Sequence, residues 1–154
     1  MKTIEITNIY VVLNEAKLTK MDDADKFKVI KILRVIKPVA KGYEDFVEDV
    51  KNKLKADDHD KMTEKAQAWN KDNQGKKVNE LTQEQIDELN TINTYFAEYN
   101  KRVENCLKEE AEKEVELTID KLSEEAFGKL VASNDWTCGQ IMALSDAVAE
   151  LLTP

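Results

Sequence analysis

Glycine, proline, cysteine and histidine are scarce in this chain. Its 154 residues include 4 Gly, 2 Pro, 2 Cys and 1 His. So few Gly and Pro disfavour a loop-rich or low-complexity chain and leave little material for a phosphate-cradling loop. Two Cys cannot build a disulfide framework. A single His lacks the company of His and Cys that transition-metal sites draw from several places. Long apolar runs are also missing. The best are 9–13 and 29–39, and Lys31, Arg34 and Lys37 interrupt the second. Neither approaches the roughly 20 apolar residues of a membrane span. Glu5 breaks the opening Met1–Ile6, and no signal-type apolar core follows. The expected origin is cytosolic, with Cys106 and Cys138 as free thiols. Walker, zinc-finger and nucleophile-elbow patterns are absent.

What is present is charge and apolar periodicity. Hydrophobic residues make up 42% and charged residues 35%; 23 Lys+Arg against 31 Asp+Glu give a net charge of −8. That apolar content, at this length, predicts one folded domain over 1–154 rather than a disordered chain. The acidity argues against a general nucleic-acid binder, which needs a basic face. The expected class is mainly α with a small β element.

Residues 3–7 alternate apolar and polar with β-branched side chains, the pattern of a short half-buried strand. Ile9, Val12, Leu13 and Ala16 are spaced for a short helix over 9–18. Asp22 and Asp23 open the next helix. Val29, Leu33, Ile36, Ala40, Tyr43, Val47, Val50 and Leu54 then repeat at threes and fours, a heptad-like stripe. Pro38 lies inside it, so the expectation is a helix over 22–55 kinked near Arg34–Pro38, with two helices, 22–36 and 38–55, as the alternative.

Residues 55–77 read less sharply, with Met62, Ala66 and Trp69 spaced for another helical face. Turn chemistry concentrates in Asn70–Lys77, predicting an exposed loop over 70–80. Thr82 and Gln85 form a capping box, with Leu81 and Ile86 placed as a staple. Leu89, Ile92, Phe96, Tyr99, Val103 and Cys106 continue as a core stripe to about Lys113. Two helices of this length predict a long antiparallel hairpin. Val115, Leu117 and Ile119 alternate with Glu116, Thr118 and Asp120. The expectation is a two-stranded sheet from 3–7 and 114–120. Ser123 and Thr137 cap two further helices, and the last carries Ile141, Leu144, Val148 and Leu151 on one face.

Few residues point to chemistry. His59, in Asp57-Asp58-His59-Asp60, reads as an exposed turn residue, since the run lacks the Gly and distal Glu of a calcium loop. Cys138 opens a helix, where a thiol can become reactive. No Cys-x-x-Cys accompanies it, and a buried or inert thiol is the plainer reading. Glu109, Glu110, Glu112 and Glu114 read as a solvated helix end. Tyr43, Phe96 and Tyr99 fall on core stripes. Trp69 flanks the polar loop and is the best candidate for a partner contact if exposed. The expectation is a non-enzyme: no catalytic residue, cofactor site or metal site, and neither nucleic acid nor membrane as partner.

The order of elements carries a resemblance. Its residues are Leu13 and Leu18, Lys26-Phe27-Lys28 with Lys31-Ile32-Leu33, Tyr43-Glu44-Asp45-Phe46, Glu98-Tyr99-Asn100-Lys101, and Glu114-Val115-Glu116-Leu117 through Leu122. In this arrangement the chain resembles small uncharacterised proteins encoded among the virion genes of tailed bacteriophages and prophages. The resemblance implies a structural or assembly role, with self-association and virion proteins as partners. It implies synthesis in a host cytoplasm and a place in the virion, in a head or fibre ahead of a tail or connector. An intracellular acidic inhibitor or assembly factor acting by protein binding is the alternative. Interleaved basic residues count against an acidic mimic of DNA.

Overall fold

The structure, a computed structural model, describes residues 1–151. Among them are six α-helices: α1 Thr3–Asn14, α2 Asp23–Lys53, α3 His59–Asp72, α4 Gln83–Glu112, α5 Glu124–Ala132 and α6 Cys138–Val148. Two short strands, β1 Leu122–Ser123 and β2 Ala149–Glu150, complete it, with a 3-10 turn at Val78–Glu80. The fold is therefore mainly helical with a small β element. The chain divides into two compact units, Met1–Phe46 with Glu110–Pro154, and Val47–Glu109.

In the first unit, Ile6, Leu13, Val29, Ile32, Ile36, Leu122, Leu130, Leu144 and Val148 are fully buried. They come from α1, α2, α5, α6 and β1 and form one apolar core. Asp22 starts α2 by accepting the Asp25 N–H at 2.9 Å. Ser123 Oγ accepts the Ala126 N–H at 3.2 Å to start α5. Thr137 and Gln140 exchange bonds at 3.3 and 2.9 Å to start α6, as the capping box predicts.

The expected strand at 3–7 is instead the first part of α1. Thr3, Ile6, Thr7, Tyr10 and Leu13 are buried at steps of three and four, together with Ile9. That is a helical face, and burying all of it against the core outweighs the β preference of Thr and Ile. Glu5 helps by accepting the Lys2 N–H at 2.8 Å, and Thr7 returns its hydroxyl to the Thr3 carbonyl at 2.8 Å.

Without that strand, 114–120 has no ladder to join. It meets the N-terminus only at one antiparallel bridge, Lys2 with Glu114. Thr3 N–H donates to Lys113 O and Val115 N–H to Met1 O, both at 2.9 Å. Val115, Leu117 and Ile119 still turn inward and Glu116, Thr118 and Asp120 outward, because any extended segment alternates. The sheet forms elsewhere and is parallel: Leu122 pairs with Ala149 and Ser123 with Glu150. This pairing ends α6 at Val148, so Leu151 does not extend the helical face and is exposed.

α2 is one helix running through Pro38. Every residue of its expected stripe is buried or half-buried. α1 packs closely on α6, and β2 lies against α5.

In the second unit, Met62, Ile92, Tyr99 and Val103 are buried. The ambiguous stretch after Lys55 is largely helix, α3, which ends at Asp72. Asn73 is buried there, with its amide donating to Trp69 O at 2.9 Å. Gly75 has φ +78°, the left-handed turn its missing side chain permits. Residues 74–80 are exposed. Thr82 and Gln85 close the expected box at 3.2 and 2.9 Å and start α4. Cys106 departs from its assignment to the core: it is exposed, and Leu107 is half-buried beside it. The apolar face of α4 drifts by one position there, as a 3.6-residue period does against a strict heptad.

Candidate functional site: the outward face of α2

α2 buries Val29, Ile32, Ile36 and Ala40 on one side. The opposite side begins with Phe27, Ile30 and Val35, exposed by 53, 42 and 37%. Between Lys26 and Gly42 lie six basic residues and no acidic one. The remainder of the chain holds the other 17 basic residues against all 31 acidic ones. The stretch that carries this face is thus basic and partly apolar within an otherwise acidic chain.

Its side chains are partly organised. Lys31 Nζ stands 5.0 Å from the centre of the Phe27 ring, a cation–π placement. Lys41 Nζ donates to Glu44 Oε2 at 2.7 Å and lies 5.6 Å from the Tyr10 ring. The Glu44 hydrogen bond, and then its charge, hold the Lys41 ammonium above the usual lysine range. Lys28 reaches Asp120 at 4.0 Å and Lys26 reaches Asp23 at 3.9 Å. Arg34, Val35, Lys37 and Pro38 are exposed along the middle of the face. Gly42 is open as well: a Cβ there would meet nothing within 4 Å.

A second feature of the same unit is a groove of about 500 Å³ between α1 and α6, mostly apolar and lined by Ile9, Val12, Ala143 and Ala147, with Glu5 and Asp146 among its polar residues.

The residues singled out in the sequence lie apart from the α2 face. Trp69 is half-buried, and its indole N–H donates to Gln85 O at 2.9 Å. The polar handle that would recognise a partner is used within the chain. His59 is not an exposed turn residue: it opens α3 and is half-buried. Its Nδ1 lies 2.9 Å from Tyr95 Oη, and its ring centre is 4.7 Å from Tyr99 and 5.8 Å from Phe96. An aromatic setting of this kind positions the imidazole by packing. Cys138 is exposed at the start of α6 rather than buried. Glu110 pairs with Lys113 at 3.8 Å, and Glu114 with the Met1 ammonium at 3.1 Å. Among the described residues, no group of three or more His, Cys, Asp or Glu is arranged to hold a metal ion. No helix among them is long and apolar enough to cross a membrane.

The lysines of α2 are plain in the sequence, whereas the division of its apolar residues between two faces shows only in the fold. Assigning the core stripe first leaves Phe27, Ile30, Ile32, Val35, Val39 and Phe46, of which the structure exposes Phe27, Ile30 and Val35 and turns the other three inward. Compared with known proteins, the chain matches no family model, no curated protein and no solved structure.

Proposed function

We propose that this chain is a non-enzymatic interaction protein whose working surface is the outward face of α2. The observation that carries the reading is the exposure of Phe27, Ile30 and Val35 within the basic stretch Lys26–Lys41. Large apolar side chains grouped with Lys and Arg on one helix face suit the core and rim of a protein interface. The finer architecture belongs to the same proposal: α2 and α4 run as an antiparallel hairpin. The Tyr99 hydroxyl bonded to Lys51 O, and Tyr43 near the Glu110 carboxylate, support that register.

The setting we propose is a bacteriophage particle or its assembly, with head or fibre proteins as partners, as the resemblance to virion-gene products implies. The test is quantitative mass spectrometry of purified particles from the phage or prophage that encodes the chain, for the natural protein and for Phe27→Asp/Ile30→Asp. A fixed copy number that the double substitution abolishes, with helix content kept, is the expected result. Absence of the natural protein from particles overturns the virion setting in favour of an assembly factor. Unchanged incorporation of the variant overturns the assigned surface.

A further inference from the structure

The outward face of α2 changes sign along its length. Lys26, Lys28, Lys31, Arg34, Lys37 and Lys41 come first, and then Glu44, Asp45, Glu48 and Asp49 follow on the same helix. At 3.6 residues per turn, Phe27, Lys31, Arg34, Pro38, Lys41 and Asp45 fall on one seam, at alternating steps of four and three. Ile30, Val35 and Gly42 flank it. The seam therefore begins apolar and basic at Phe27 and Lys31, passes Pro38 with Gly42 beside it, and ends acidic at Asp45.

A surface with that polarity is complementary to itself when reversed. We propose that α2 pairs with α2 of a second copy, antiparallel, about a two-fold axis at Pro38. The proposal rests on the functional reading above and names the partner of that surface. Residues whose numbers sum to about 76 then lie opposite one another. Lys31 faces Asp45 of the second copy, and Arg34 lies beside Gly42. Each pairing occurs twice, as isologous symmetry requires. Parallel pairing instead sets Lys31 against Lys31 and Asp45 against Asp45, so charge selects the antiparallel arrangement.

Gly42 is consistent with this pairing: a Cβ there would meet nothing within 4 Å among the described residues, which leaves room for another backbone beside Pro38. An anionic membrane is a poorer occupant, since the acidic end of the seam and the net charge of −8 both oppose it.

Sedimentation equilibrium of the full chain, over a range of concentration and salt, tests the pairing. The expected mass at high concentration is twice the 17.6 kDa of one chain. Lys31→Glu alone, and Asp45→Lys alone, each weaken the dimer by at least about tenfold. Mixing the two variants restores a dimer to within about tenfold of the natural affinity, because each then meets its complement. Lys31 and Asp45 are both exposed, and circular dichroism checks that the helices persist. A natural chain that stays monomeric overturns the pairing, as does a mixture that stays monomeric or a monomer that binds anionic vesicles through this face. None of these outcomes removes the chain from particles or spares the Phe27→Asp/Ile30→Asp variant, so failure of the pairing and failure of the functional reading are distinguishable.

Discussion

The Tyr99 hydroxyl donates a 2.7 Å hydrogen bond to the backbone carbonyl of Lys51. Lys51 lies in the last turn of α2, where carbonyls lack helical partners. A buried tyrosine of α4 thus completes the end of another helix. Tyr99→Phe keeps the ring and removes the donor. We expect a loss of about 1 kcal/mol, read from urea midpoints at constant slope. An unchanged midpoint would show that water serves the carbonyl equally well.

Core substitutions should separate fully buried from half-buried stripe positions. Ile92 is buried, whereas Val47 is half-buried. Ile92→Ala is expected to cost about 3 kcal/mol and Val47→Ala about 1 kcal/mol. Equal costs at the two positions would contradict the burial difference on which the expectation rests.

The capping boxes at Thr82 and Thr137 lie in different units. Each Thr→Ala change removes one acceptor for a helix N–H and should cost about 1 kcal/mol. Hydrogen exchange of the first amides of α4 and α6 checks the local effect. Protection should fall at α4 for Thr82→Ala and at α6 for Thr137→Ala.

Gly128 sits inside α5 with open space where a Cβ would stand. Gly128→Ala should stabilise the protein by about 0.5–1 kcal/mol through helix propensity and a less flexible unfolded chain. Thermal melting measures it, and a lower midpoint would reveal a neighbour that the open space does not show.

Burial, and then the nearby Glu110 charge, raise Tyr43 above the usual tyrosine value of 10.0. The unfolded chain therefore ionises this phenol first as pH rises. Its contribution to stability is complete below pH 10 and is lost as pH climbs through the folded value. Tyr43→Phe escapes that loss. Above pH 10 the variant should gain on the natural protein in denaturant midpoint, and a constant difference from pH 8 to 11 would refute the linkage.

The parts of the fold that were legible in the sequence are those fixed by nearby residues. The starts of α4, α5 and α6 follow from Thr82, Ser123 and Thr137, each bonding within three residues. The α2 stripe repeats over many turns, so one proline did not obscure it. The start of α1 failed for the opposite reason. Five alternating residues fit a strand or a helix edge, and only the packing of Ile6, Tyr10 and Leu13 decides. The sheet was out of reach because each strand has two residues and the partners are far apart in sequence. His59 and Trp69 were placed by polarity of neighbours, whereas aromatic residues of α4 and the Gln85 carbonyl hold them. The α2 face was half legible: its charge could be counted, but its exposure depends on which side the core takes.

The bridge between Lys2 and Glu114 has a consequence for synthesis. The first unit is assembled from two stretches of chain, with Val47–Glu109 inserted between them. On the ribosome, Ile6, Leu13 and Ile36 emerge long before Leu122, Leu130 and Val148, which share their core. The core residues of α1 and α2 therefore stay uncovered on the ribosome until β1, α5 and α6 have followed the inserted stretch.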